Sequence, residues 1–213
     1  YINRLKNNEG QHIEVSLLES AIAYTVWEST GFFETGETPL PLGSSHRISA
    51  PYQALKTSDG FLNVAAPNQS NWERLCNAID RQDLLDNKKY IDNPSRLLNR
   101  HELEKELEKT LSKKTRSEWI DILDKNGVPS GPIYDMKEVW NDPQVKYRNM
   151  RVKLKHEKIG ETDNIGVIPK FSEKPSSLRT PSPLLGEHSE KILLEHGYSK
   201  EEINQFIKNK IIS

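Results

Sequence analysis

The chain has 213 residues, 34% of them hydrophobic, and sets 30 basic residues against 31 acidic ones for a formal net charge of −1. With no basic excess to neutralise phosphates, the composition argues against a nucleic-acid binder, and no stretch free of charge is long enough to cross a bilayer. One cysteine, Cys76, excludes an internal disulfide or a cysteine-cluster metal site and suits a reducing cytoplasm. The length fits one large fold or two partial ones. The chain starts at Tyr1 without a signal-like apolar stretch, so it is expected to begin inside a longer protein.

Four Ser/Thr-x-x-Glu capping boxes, Ser16/Glu19, Ser70/Glu73, Thr115/Glu118 and Ser199/Glu202, mark helix starts. Ahead of the first, His12 to Val15 reads as a short strand. The helix opening at Ser16 runs to Thr30, with Gly31 beyond its end. Leu17, Leu18, Ala21, Ile22, Ala23, Val26 and Trp27 cover most of its circumference, so it is expected to be buried on several sides. Periodicity then stops, and Phe32 to Pro51 reads as a long connection rich in Gly, Pro and Ser.

Tyr52 to Lys56 and Phe61 to Ala65 flank Thr57-Ser58-Asp59-Gly60 as a β-hairpin. Helices are predicted near Asn71 to Ile79, Arg100 to Leu111 and Ser117 to Lys125, the second carrying a Leu103, Leu107, Leu111 stripe. Gly127 ends a helix, and Pro129, Gly131 and Pro132 force an extended turn into Ile133 and Tyr134. Short helices from Met136 to Trp140 and Pro143 to Asn149 precede a half-exposed strand from Arg151 to His156. Asn164 to Phe171 reads as a further strand or extended segment. Prolines from Pro169 to Pro183 make an extended arm, and helices from Ser189 to His196 and Lys200 to Lys208 close the chain.

The six histidines, His12, His46, His101, His156, His188 and His196, lack zinc-ligand spacing, and no Gly-rich nucleotide loop or nucleophile elbow is present. Cys76 shares a helix stripe with Trp72, Leu75 and Ile79, where it reads as a small buried apolar residue rather than a nucleophile. Lys146, Arg148, Arg151, Lys153, Lys155 and Lys158 read as a solvated edge strand protected against aggregation, in preference to a polyanion grip. Gly43, Ser44, Ser45, His46 and Arg47 are the candidate substrate-binding residues. They put two hydroxyls, an imidazole and a guanidinium on an irregular segment suited to covering a polar substrate. A capped linker with a surface His-Arg pair is the alternative.

Several ordered motifs run nearly end to end: Gly10-Gln11-His12-Ile13-Glu14-Val15-Ser16, Ala50-Pro51-Tyr52-Gln53 with Ser58-Asp59-Gly60, Gly127-Val128-Pro129-Ser130-Gly131-Pro132, Asp142-Pro143-Gln144-Val145 and Pro183-Leu184-Leu185-Gly186-Glu187-His188. In this order the chain resembles the C-terminal half of class III CoA-transferases, the formyl-CoA transferase and carnitine CoA-transferase family. The resemblance implies an α/β fold that closes as an interlocked homodimer. Residues 1–47 would end a large CoA-binding domain with the long buried helix and linker loop. Residues 48–156 would form a small α/β domain, and 157–213 an arm and helices returning to the large domain. It implies an aspartate carboxylate that is acylated by an acyl-CoA and becomes an aspartyl-CoA thioester. That thioester then hands CoA to an acceptor carboxylate, so CoA thioester is a substrate and no tightly bound cofactor or metal is needed. The aspartate is expected upstream of Tyr1, leaving this chain by itself inactive.

In that family the loop after the long helix covers the reacting carboxylates. Here it holds His46 and Arg47 in place of a glycine run, which suggests a dicarboxylate held by Arg47. The 2-methylacyl-CoA racemases of the same superfamily are the rival, but Asn68 stands where they tend to carry a glutamate, and an amide cannot exchange protons as a carboxylate can. A noncatalytic interaction domain is the reading from another class.

Overall fold

The computed structural model describes residues 1–212. It divides into two compact units, one from Tyr1 to Ile133 and another beginning at Tyr134. Helices and short antiparallel strands mix throughout, an α/β fold as the sequence predicts.

The first unit opens with α1 (Ile2–Asn7), α2 (Leu17–Tyr24) and α3 (Val26–Thr35), and His12 to Val15 forms no strand. The single buried helix expected after Ser16 is corrected on two points. It breaks at Thr25, whose hydroxyl and backbone N–H both donate to the Ile22 carbonyl, a local bond that competes with the helical ladder. Helix α3 then runs through Gly31 to a left-handed cap at Gly36. Neither helix buries a residue: Leu17 is 91% and Trp27 68% exposed.

Strands β1 (Tyr52–Lys56) and β2 (Phe61–Ala65) form the predicted hairpin, in register from Tyr52 opposite Ala65 to Lys56 opposite Phe61. Gly60 is required at its turn by close approach, since a Cβ there would lie 3.1 Å from Arg116 Nε. Arg116 crosses that point to donate from Nη1 to the Ile133 carbonyl, while its backbone N–H donates to Asp59. Five helices follow: α4 (Gln69–Ala78), α5 (Gln82–Leu85), α6 (Asn93–Leu98), α7 (Arg100–Leu111) and α8 (Arg116–Lys125).

The start of α4 is a second correction. Asn68, not Ser70, is its cap, accepting the Asn71 N–H at 2.8 Å, so the Ser70/Glu73 pair lies inside the helix. Strand β3 (Ser130–Pro132) completes the sheet on the far side of β2, giving the order β1-β2-β3, where the sequence suggested only a turn. Its proline is tolerated because β3 is an edge.

The core of this unit is built by periodicity. Leu55, Leu62 and Val64 point from one face of the hairpin onto Trp72, Leu75 and Cys76 of α4, and Leu103, Leu107 and Leu111 of α7 close over them with Trp119 and Leu123 of α8. Each fully buried leucine contributes about 2 kcal/mol.

One charged side chain is fully buried here. Arg96 of α6 donates from Nε to the Ala50 carbonyl (2.6 Å) and from Nη1 to the Tyr90 carbonyl (3.0 Å) and Gln69 Oε1 (3.1 Å), with its guanidinium carbon 5.1 Å above the Trp72 ring. Asn93, one turn earlier, accepts the Ala50 N–H at 2.9 Å and donates to the Ile48 carbonyl at 2.8 Å. At the other end of α7, Arg81 makes a forked pair with Asp83 and also reaches Glu106 and Thr110.

The second unit holds α9 (Met136–Asn141), α10 (Pro143–Tyr147), the hairpin of β4 (Arg151–His156) and β5 (Gly160–Ile165), then α11 (Ser189–Glu195) and α12 (Lys200–Lys208). Strand β5 lies earlier than the predicted Asn164 to Phe171, because the turn after His156 is tight and Gly160 takes φ +81°. Gly166 ends the hairpin against the Asn149 carbonyl, where a Cβ would sit 2.3 Å from oxygen. Capping boxes form at Ser199/Glu202 and at Asp135/Glu138. Among the described residues no helix is long and apolar enough to cross a membrane.

Two stability tests follow. Arg96→Ala leaves three acceptors without their donor, and the unfolding free energy of the full-length protein is expected to fall by about 3 kcal/mol in urea titration. Arg81 holds the Asp83 carboxyl below its ordinary value, and Lys109 followed by Arg81 does the same for Glu106, so this stabilisation is complete above the ordinary values and is lost as pH falls through the depressed ones. Acid titration of Arg81→Met is therefore expected to show a shallower loss of stability below about pH 4 than the parent protein shows.

Candidate functional site

The loop from Gly43 to Arg47 is laid along the free edge of β1. Gly43 makes the turn into it at φ +62° with open space around its Cα. Ser44 Oγ accepts the Ala54 N–H at 3.1 Å, Ser45 Oγ donates to Gln53 Oε1 at 2.9 Å, and the His46 N–H donates to the Tyr52 carbonyl at 2.9 Å. These bonds satisfy edge groups of the sheet and fix the loop's register. Its far end is fixed in turn by Asn93 and Arg96, which hold Ile48 and Ala50.

The side chains of His46 and Arg47 are therefore presented from a fastened backbone. The His46 ring stacks on Tyr52 with centroids 5.1 Å apart and planes 4° from parallel, and the Trp27 ring meets it edge-on at 6.1 Å. His46 Nδ1 accepts the Ile48 N–H at 3.3 Å, so in the neutral ring the proton sits on Nε2.

Arg47 borders a cavity of about 420 Å³ whose walls include Trp27, Phe32 and Leu40, with Glu28 and Glu37 at its polar side. Its Nη2 donates to the Leu40 carbonyl at 3.2 Å, and its Nε lies 3.7 Å from Glu28 Oε1. Both side chains of that pair are about two-fifths exposed, at 40% and 45%. Such a pair contributes at most about 1 kcal/mol and can be exchanged for another carboxylate. Apolar walls ending at a guanidinium suit a short aliphatic chain that carries a terminal carboxylate.

The other candidates lie elsewhere. Cys76 is buried in the core, and burial pushes its thiol up to about 12. The cations of β4 are largely paired, Arg151 with Asp163 and Lys153 with Glu161, as a solvated strand should be. Asn68 is committed to capping α4. Among the described residues no group of three or more His, Cys, Asp or Glu is arranged to hold a metal. Sequence reasoning missed Glu28 and Glu37 as cavity walls, and Asn93 and Arg96 as anchors. The Asp92-Asn93-Pro94 start of α6, a capped helix with proline in its first turn, was the signal available for the last two.

The CoA-transferase family III model matches residues 1–189, and the chain belongs to that family. It is 33% identical over 194 residues to the human succinyl-CoA:glutarate CoA-transferase, covering 91% of this chain and 44% of that protein. It is 31% identical over 194 residues to the succinate–glutarate CoA-transferase of Agrobacterium fabrum, covering 91% and 48%. The fold matches the crystal structure of a CAIB/BAIF family protein from Brucella suis with a TM-score of 0.75 at 29% identity, over 91% of this chain and 50% of that one. The chain thus spans a little under half the length of these curated relatives.

A buried thiol with so high a pKa has almost no thiolate at neutral pH. Cys76 is expected to resist iodoacetamide in the folded protein and to react fully once the protein is unfolded, as read by intact mass.

Proposed function

We propose that this chain is the C-terminal part of a CoA-transferase that moves CoA from an acyl-CoA to a carboxylic acid, with a dicarboxylic acid on at least one side of the exchange. The observation that carries the proposal is Arg47, held by an exposed ion pair with Glu28 at a cavity that Trp27, Phe32 and Leu40 also border. Relatives named for both succinate and glutarate support it, since each of those acids carries a second carboxylate at the end of a short chain.

In this reading a nucleophilic aspartate upstream of Tyr1 attacks the thioester carbonyl, releasing CoA thiolate and forming a mixed anhydride. The thiolate then attacks the aspartyl carbonyl, freeing the donor acid. The acceptor carboxylate reverses the two steps. Neither step consumes ATP, because anhydride and thioester are of similar energy. The loop from Gly43 to Arg47 covers the reacting groups and keeps water from the anhydride. His46 contributes its Nε2–H, and Arg47 neutralises the carboxylate that does not react.

The exposed apolar faces of α2 and α3 support segment 1–47 as part of a larger CoA-binding domain, to which 157–213 would return around a small domain of 48–156. They support a homodimer of the full-length protein equally. A CoA thioester is the substrate in this scheme, no bound cofactor or metal takes part, and a reducing cytoplasm suits the single free thiol.

Arg47→Ala in the full-length protein is expected to lower kcat/KM for glutarate by about 10- to 100-fold, the worth of a charge-assisted pair in a half-exposed site, and to leave acetate nearly unchanged. Equal loss for both acids, or none for either, would make Arg47 a linker residue and end the dicarboxylate assignment.

A further inference from the structure

The second unit carries another cavity, of about 410 Å³, whose chemistry is the opposite of the one beside Arg47. Lys155 from the end of β4, Arg179 from the irregular arm and Lys191 from α11 all border it, Thr180 adds a hydroxyl, and Pro181 is the one aliphatic residue in its lining. Three cations from three separate segments, with no leucine, isoleucine, valine or aromatic hydrocarbon side chain in the lining, do not suit an acyl chain.

The charge there follows from how β4 and β5 pair. The register sets Lys153 opposite Asp163 and Lys155 opposite Glu161, yet the ion pairs run diagonally, Arg151 to Asp163 and Lys153 to Glu161. Both acids of β5 are thereby taken. The next diagonal step, from Lys155, falls on Ile159 in the turn. Lys155 is left at the cavity.

The acid across the cavity is also occupied. Glu187 accepts the Leu184 N–H at 2.7 Å and the Nε2 proton of His156 at 3.1 Å. His156 is 2% exposed, and its Nδ1 accepts the Lys158 N–H at 3.1 Å, which fixes that tautomer in the neutral ring. The buried imidazole and the Leu184 N–H thus engage one oxygen of the Glu187 carboxylate in structural bonds. Lys191 approaches Glu195 only at 3.9 Å on an exposed surface, and Glu157 is the other acid in the lining.

We infer that the Lys155, Arg179 and Lys191 cavity is a binding site for a phosphoryl group, either on a nucleotide such as the phosphoadenosine end of CoA or as a free phosphate ion. A dianion with three acceptor oxygens can engage all three cations and the Thr180 hydroxyl at once, which a single carboxylate cannot. The site is separate from Arg47 and stands whether or not the acceptor is a dicarboxylate.

The test compares the full-length protein with its Lys155→Ala/Arg179→Ala and Lys155→Arg/Arg179→Lys variants, after matching thermal midpoints confirm that each folds. Calorimetric titration with adenosine 3′,5′-bisphosphate and with inorganic phosphate at low salt is expected to show affinity at least about fivefold weaker in the alanine variant and retained in the charge-keeping one. If KM for a CoA thioester rises in parallel while KM for the dephospho-CoA thioester does not, CoA is the source of the phosphoryl group. If phosphate binding weakens with both KM values unchanged, a free phosphoryl ligand is the source. Affinities within twofold of the parent protein for both probes, or equal losses in the two variants, overturn the inference.

Discussion

The Arg96 guanidinium is the constraint on which the first unit depends. It is buried without a carboxylate opposite it, and burial draws its pKa below the ordinary arginine value. What offsets the desolvation is geometry: a planar fork that reaches two backbone carbonyls and an amide oxygen while lying over the Trp72 face. A lysine has neither the fork nor the flat face. Because the three acceptors belong to the approach to β1, the segment before α6 and the start of α4, one side chain joins the sheet entrance to the helical layer. The helices then place Trp72, Leu75, Leu103 and Leu107 over the hairpin, and the core closes around that bond.

The same bond passes its constraint outward. Holding the Ala50 carbonyl fixes where the chain enters β1, and that entry fixes which edge groups of β1 are left for Ser44, Ser45 and His46 to meet. Within the loop the work divides by residue type. The short hydroxyl side chains and the backbone fasten the loop to the sheet, and the longer His46 and Arg47 side chains reach past it. A loop of free glycines could offer a carboxylate only backbone N–H groups. A fastened loop can instead hold a full positive charge at a set place, at less entropic cost on binding.

How far the sequence could be read depended on how local each interaction is. The β1-β2 hairpin, α7 and α12 matched their predicted bounds because turn chemistry, a leucine stripe and a capping box all act within a few residues. The helix after Ser16 was misread because apolar periodicity says which surface wants cover, not whether this chain supplies it. The Ser70/Glu73 spacing reads as a capping box, but Asn68 is an equally good cap two residues earlier and only the fold decides between them. Arg96 and Asn93 act on residues more than forty positions away, at separations of 46 and 43 to Ala50, so no window of sequence displays their role. Gly43 to Arg47 could be singled out by composition alone. That two of its hydroxyls would face the sheet and its arginine a cavity could not.

Several charged side chains in this protein are held in local pairs. Arg81 is paired with Asp83 and Glu106, Lys89 with Glu102, and Arg151 and Lys153 of β4 with the acids of β5. Against that background the departures are informative. Arg96 is paired with carbonyls because it is structural and buried. Arg47 is held by a carboxylate it can exchange, at a cavity bordered by Trp27, Phe32 and Leu40, so an incoming carboxylate needs only to match what Glu28 already provides. Lys155 is left over by the diagonal drift of a ladder, and Arg179 and Lys191 border the same cavity, whose lining has no leucine, isoleucine, valine or aromatic hydrocarbon side chain. The two cavities thus differ in what their walls leave unsatisfied: apolar surface with one exchangeable cation in the first, and several converging cations in the second.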